Sequence, residues 1–492
     1  MKSPDLLLYW NKRWAYLLVL ALLPLLAFSQ EPSANTQNTT EVNVRSGKDR
    51  SVIQIRRDGA SFEVEHDGYI TLSDDDRDVV AISAGGYLKI SKSAFGSKRR
   101  IQIEADRNGN LIRKYYEGWS QKDYEPAGRA WLAEVLPEIV RSSTLGAEDR
   151  VNRIYGKGGM NAFANEVQQQ LEGDYTKTAY IKLVMCKKLT DAELDQLLRL
   201  MGKEVKSDYY LASLLSDNYS VLLANPARIG SFVDASRGIS SDHYMTEVLQ
   251  KVVTSKQISD QHLGDILSAA SSIQSDHYLS SLLIDLMQER ELTSSTLSTI
   301  LKVSRQIQSD HYMSEVLRKA LRQDNLSSTA ANELINAIGD IQSDHYAKEV
   351  ILAMETNNMS QADLVRMLDL LRQEIQSDHY LGESLRHLLR KQDLQGQSYT
   401  AFLQAASSIS SDNYSSEVFR SLAREKRLSD DQLSELLLAT GSIQSDHYLS
   451  ELLVSVASEV RNRGEGVKAA YRTAAKNISS ESYYGRAMRA ID

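Results

Sequence analysis

From Asp174 onward, apolar residues recur at helical spacing, and that recurrence is itself periodic. Between positions 275 and 308, Tyr278, Leu279, Leu282, Leu283 and Leu286 form one apolar stripe, as expected of an amphipathic helix. Glu289 to Glu291 interrupt it, and Leu297, Ile300, Leu301, Val303 and Ile307 form a second stripe. Ser275 and Asp276 stand at the start of the first helix, where a side-chain oxygen can accept from an orphan amide and a carboxylate suits the positive end of the macrodipole. Thr293 or Ser294 can cap the second helix. The unit read this way is helix–turn–helix, and neither helix can bury its stripe without a neighbouring unit.

The phrase that opens each unit, Ile-Gln-Ser-Asp-His-Tyr, stands intact at 273–278, 307–312, 341–346, 375–380 and 443–448. Looser copies occupy 239–244 and 409–414. Asp208, Asp242, Asp276, Asp310, Asp344, Asp378, Asp412 and Asp446 follow one another at 34-residue steps. Asp174 lies one step upstream, with Tyr175 in the His position, and Glu481 closes the series one residue late. Ten copies at a fixed period predict a stacked α-solenoid over 173–492, HEAT-like in a broad sense. The period alone also suits tetratricopeptide repeats, but the copies lack their Trp and Leu-Gly pattern, and no proline follows Pro226. Helix layers ~8–10 Å apart would make a rod or arc on the order of 100 Å.

Ahead of the repeats the apolar period falls to two. Val52, Ile53 and Ile55 are followed by Phe62 and Val64, Ile70 and Leu72, Val80 and Ile82, Leu88 and Ile90, Ile101 and Ile103, and Leu111 to Tyr115. Asp58-Gly59, Asp67-Gly68, Gly85-Gly86 and Asn108-Gly109 separate them with hairpin chemistry. About seven antiparallel strands are expected over 51–118. Asp74-Asp75-Asp76 lacks the alternating ligands and central Gly of a calcium loop and reads as a solvated turn. Connecting and capping helices follow over 119–172. One spans Ala127 to Arg141, with Trp131, Leu132, Val135, Leu136 and Ile139 facing the sheet. Two more, Ala147–Tyr155 and Met160–Leu171, are parted by Gly156-Lys-Gly-Gly159, which has no Gly-Lys-Ser/Thr and so is not a phosphate loop.

The first 29 residues differ in kind. Lys2, Lys12 and Arg13 precede an apolar run from Ala15 to Phe28, and Ala27-Phe28-Ser29 offers a cleavage site before Gln30. A signal peptide is expected, with an uncleaved N-terminal anchor as the alternative; a polar linker is expected over 30–50. Export then makes the single cysteine notable only for what it excludes. Cys186 cannot form an intrachain disulfide, and its apolar setting reads as a small buried side chain. A net charge of −8 gives no basic footprint for nucleic acid.

Ser, Asp and His in one phrase invite comparison with a hydrolase triad. Consecutive residues at a helix start diverge by ~100° each and cannot converge as a triad requires. No catalytic residue, cofactor or metal site is assigned. His243, His277, His311, His345, His379 and His447 are nonetheless expected to line one edge, each beside an aspartate. That row could bridge metal ions between units or respond to pH. The simpler expectation is carpentry: Asp caps its helix, Tyr packs against the next unit, and His occupies the first turn.

The order of these parts is distinctive: the Gly-Gly-punctuated β module (Asp78-Val-Val to Gly85-Gly86-Tyr-Leu), the helix Ala130-Trp-Leu-Ala-Glu-Val-Leu-Pro-Glu-Ile139, and the Ile-x-Ser-Asp repeats. It resembles bacterial envelope proteins with an N-terminal β module and ~34-residue helical repeats, a tail sometimes fused to antirepressor-type zinc metallopeptidases. The resemblance implies bacterial origin and an envelope location. It does not carry over the peptidase, since His-Glu-x-x-His is absent and with it the zinc ligands and general base. The expected function is that of an exported, non-enzymatic scaffold in the periplasm or cell envelope, with a protein partner, no nucleic acid, and membrane contact only through an uncleaved N-terminal segment. The alternative is a sensory or regulatory accessory of an envelope signalling or proteolytic system, with the β module as its recognition element.

Overall fold

A computed structural model describes residues 41–492 apart from 47–49, 58–59, 95, 256–257, 290, 324–326 and 355–358. The signal-peptide or anchor assignment and the first part of the linker lie outside the described residues, as does the Asp58-Gly59 turn. Among the described residues no helix is long and apolar enough to cross a membrane.

Among the described residues nine strands precede the helices: β1 (Glu41–Ser46), β2 (Arg50–Arg57), β3 (Ala60–Asp67), β4 (Ile70–Leu72), β5 (Val79–Ile82), β6 (Tyr87–Ala94), β7 (Ser97–Ala105), β8 (Leu111–Glu117) and β9 (Ser120–Lys122). Seven of them form one antiparallel sheet in the order β1-β2-β3-β6-β7-β8-β9, while β4 and β5 pair separately. The seven strands expected from alternation are β2 to β8. β1 overturns the end of the linker reading: Val42 and Val44 alternate with polar residues, and the strand pairs along its whole length with β2. β9 is too short and polar, Ser-Gln-Lys, to show an alternation. Val80 also departs from expectation. A register shift between Thr71 and Leu72 puts Val79 inside and leaves Val80 60% exposed.

Ile53, Val64, Ile90, Ile101 and Tyr115 lie in one cross-strand row and are buried. The helix Arg129–Arg141 closes over that face, with Trp131, Leu132, Val135, Leu136 and Ile139 in the same core. It starts two residues later than expected, because Tyr124–Gly128 forms a separate wide turn. The next helix, Ala147–Gln169, breaks at Gly158 and Gly159. Gly159 has a φ of 60° and a ψ of −153°, a conformation open essentially to glycine alone, so the expected division into two helices stands.

The remainder is a run of helix pairs packed neighbour to neighbour, first helix on first helix and second on second. One apolar core runs continuously from Ala147 to Ile491. The helix Asp276–Gln288 followed by Ser294–Ser304 typifies a unit, and the tenth phrase contributes the helix Glu481–Ile491. Thr293 caps its helix as expected, accepting from the Thr296 amide. The second unit is irregular: after Asp208–Asp217 come short turns at Tyr219–Leu222 and Pro226–Arg228, then the helix Ile229–Ser236.

Cys186 corrects the sequence reading. It follows the last turn of the helix Asp174–Met185, two residues past inward-facing Val184, and is exposed.

Candidate functional site

The Ile-Gln-Ser-Asp-His-Tyr phrases line a single edge of the solenoid, and each residue type has one repeated task. Ile273, Ile307, Ile341, Ile375 and Ile443 are buried anchors. Ser is the N-cap by position, but its hydroxyl makes no capping bond in most units; Ser377, which accepts from the Tyr380 amide at 3.4 Å, departs from this.

Asp does not cap its own helix. It is the first helical residue, and its carboxylate crosses to the following unit. There it accepts from the backbone N–H of the N-cap serine and of the residue before it. Asp276, for example, accepts from Gln308 at 3.1 Å and Ser309 at 2.8 Å. The pattern holds from Asp174 through Asp446. Serine amides stand 2.5–2.8 Å away and the preceding amides 2.9–3.2 Å. The N-cap amide of one helix and the amide before it are therefore satisfied by the neighbouring unit's carboxylate. This accounts for the strict period: a register change would withdraw the acceptor from the amides that need it.

The imidazoles and phenols form a ladder. Each of the six edge histidines lies 5.1–5.3 Å, ring centre to ring centre, from its own Tyr. Each lies 5.4–5.8 Å from the Tyr of the next unit. Tyr175, Tyr210, Tyr209 and Tyr244 extend the series toward the N-terminus, and Asn413 interrupts it after Tyr414. The tyrosines other than exposed Tyr209 are half-buried, whereas the histidines and the glutamines Gln274, Gln308, Gln342, Gln376 and Gln444 are exposed.

The histidines thus sit against aromatic faces. Among the described residues no three His, Cys, Asp or Glu side chains gather as a ligand set. Nor do Ser, His and Asp of one phrase meet as a relay: the Asp276 carboxylate is held by amides of the following unit, while His277 packs at a tilt beside Tyr278 and Tyr312. Between successive phrases the edge opens into grooves. One of about 560 Å³ is walled by Gln274, Ser275, Asp276, His277, Gln308 and Tyr312. Another of about 830 Å³ lies at Asp174, Tyr175, Asp208 and Tyr209.

A second polar cluster joins the β module to the repeats. Asp76, expected in a solvated turn, has a φ of 58° and accepts from Arg150 at 2.7 Å and Arg153 at 2.6 Å. Arg150 is only 5% exposed and also donates to Glu166 at 2.7 Å and to the Tyr180 hydroxyl at 2.6 Å. Burial works against its charge, yet Tyr180, Asp76 and Glu166 outweigh that and raise its pKa. Sequence reasoning missed this hub because its partners lie far apart along the chain.

No family model matches the chain, and no curated protein matches it. A solved chain described as "Computational Design of Self-Assembling Cyclic Protein Homooligomers" overlays 70% of this chain and 96% of its own at 9% identity, with a TM-score of 0.11. A likeness that low carries no argument.

Proposed function

We propose that the chain is an exported, non-enzymatic scaffold of the cell envelope whose Gln–His–Tyr edge binds an extended segment of a protein partner. The observation that carries this reading is the regularity of the edge: exposed amide and imidazole groups beside half-buried aromatic rings, repeated with open grooves between them. Helix layers ~8–10 Å apart match about three residues of an extended peptide at ~3.3 Å each. A partner strand could therefore meet equivalent groups at every unit. The Asp carboxylates are already engaged, which leaves the Gln amides, the imidazoles and the aromatic rings to make the contact.

A photo-crosslinking residue at Gln308, compared with one at exposed Leu438 on a second helix, tests the assignment in envelope preparations. Crosslinks from position 308, lost on combined replacement of His277, His311 and His345 by Ala, support it. Equal crosslinking from 438, or recovery that depends only on the β module, would replace it with the sensory reading.

A further inference from the structure

The sheet has two ends of opposite character. At one, β4 and β5 carry Asp76 to Arg150 and Arg153, and the Tyr69 hydroxyl donates to Asp149 at 2.6 Å. That end holds the solenoid. The other is set by strand register: Arg56, Ser61, Ser93 and Lys98 lie in one cross-strand row, and the Lys98 carbonyl accepts from the Gly118 amide at 2.7 Å. The β8–β9 turn projects from here and presents Trp119, which is 101% exposed.

Cations flank that turn. Lys98 and Arg99 are exposed, and Arg100 lies over the Tyr116 ring at 4.2 Å; exposed Arg56 lies in the same row as Lys98 but three strands away. Acids stand among them: Glu117, opposite Arg99, accepts the Tyr115 hydroxyl at 2.8 Å, Glu63 lies one row further in, Glu138 pairs with Lys92 at 3.6 Å, and Glu41 stands opposite Arg56. In a chain of net charge −8 the consecutive Lys98, Arg99 and Arg100 beside the turn are a local excess of positive charge. The same end receives the chain from the N-terminus, because Glu41 opens β1 opposite Arg56. In sequence, Glu41 follows the end of the apolar run, Phe28, by 13 residues.

We infer that this Trp119-tipped, basic end of the β module docks on an anionic phospholipid bilayer and holds the solenoid away from it. Tryptophan partitions into the headgroup layer, where its ring is half in apolar surroundings and its N–H remains hydrated. Lys and Arg beside it draw the module to anionic lipid. A retained N-terminal segment would deliver this end to the bilayer; after cleavage the surface must bind unaided. The inference does not rest on the partner-binding edge, which lies on other residues.

Co-sedimentation of the chain from Gln30 onward with vesicles tests it, since that form lacks the apolar segment. Binding to phosphatidylglycerol-rich vesicles, weaker in high salt and absent with phosphatidylcholine alone, is the expected result. Lys98→Gln should lower affinity about fivefold and Lys98→Gln/Arg99→Gln roughly twenty-five-fold. Trp119→Ala should lower it several-fold, and Trp119 emission should shift to the blue on vesicles. No binding to anionic vesicles overturns the inference. So does binding that Trp119→Ala leaves unchanged while heparin competes fully, which would assign the surface to soluble polyanions.

Discussion

The Asp310 carboxylate accepts from the Ser343 amide at 2.8 Å, across the boundary between two units. With the Gln342 amide at 3.2 Å it makes a two-point staple, and neither bond lies within its own helix. Removal by Asp310→Ala leaves two helix-start amides without that acceptor. Hydrogen bonds to a charged group contribute about 1.5–3 kcal/mol, and part exposure places the expected loss for the pair near the middle of that range. Denaturant midpoints measure the loss, and amide exchange locates it. Faster exchange at Gln342 and Ser343 is expected, whereas faster exchange at Tyr312 and Met313 would return Asp310 to a cap of its own helix.

Arg150 makes a different prediction because it is buried. Arg150→Ala removes the common donor of Asp76, Glu166 and Tyr180, although Arg153 still holds Asp76, and breaking a buried pair in this way costs about 3–5 kcal/mol. Since Asp76 belongs to the β module and Tyr180 to the first repeat, the loss should fall on their junction. Limited proteolysis is expected to release the β module from the variant before the repeats unfold. A variant that still melts in one step at the native temperature would show that the apolar contacts suffice.

The solenoid was legible because its apolar stripes and its 34-residue period state the same thing twice. Core positions such as Leu279, Leu282 and Leu283 could be read from spacing alone, and all are buried. The destination of the aspartates could not. A carboxylate at a helix start is equally compatible with its own amides and with those of a neighbouring unit, and only the packing chooses between them. The period puts the histidines in one row, but their approach to Tyr of the next unit depends on how closely the layers pack. Asp76 and Cys186 were misread for a simpler reason: a triplet of acids and a short apolar run describe composition, whereas exposure depends on what packs above them.

The ladder should behave as a set of coupled pairs. His277 and Tyr312 lie 5.6 Å apart, ring centre to ring centre. Aromatic pairs of this kind contribute about 0.5–1.5 kcal/mol beyond the area they bury. A double-mutant cycle on His277→Ala and Tyr312→Ala should recover a coupling of that size, while His277→Ala with Tyr448→Ala, several units away, should give none. Equal coupling in both cycles would mean that the variants disturb the stack as a whole.

Acid should weaken the fold in two separate windows. Burial of the His387 ring, partly offset by its Nε2 contact with the Met354 carbonyl at 2.9 Å, lowers its pKa below 6.5. Burial lowers that of His66 in the β module likewise. A depressed histidine is held neutral in the folded chain, while the unfolded chain takes up the proton. Its contribution is therefore intact above 6.5 and is lost as pH falls toward the folded value. Glu193 is held below its ordinary 4.5 chiefly by the Thr190 amide, so its share begins to be lost only below about 4.5, a later onset than the histidine decline. Melting temperatures followed down from neutrality should show both declines. His387→Gln, which retains a donor for Met354, should flatten the upper decline and leave the lower one in place; an unchanged upper slope would assign it to other groups.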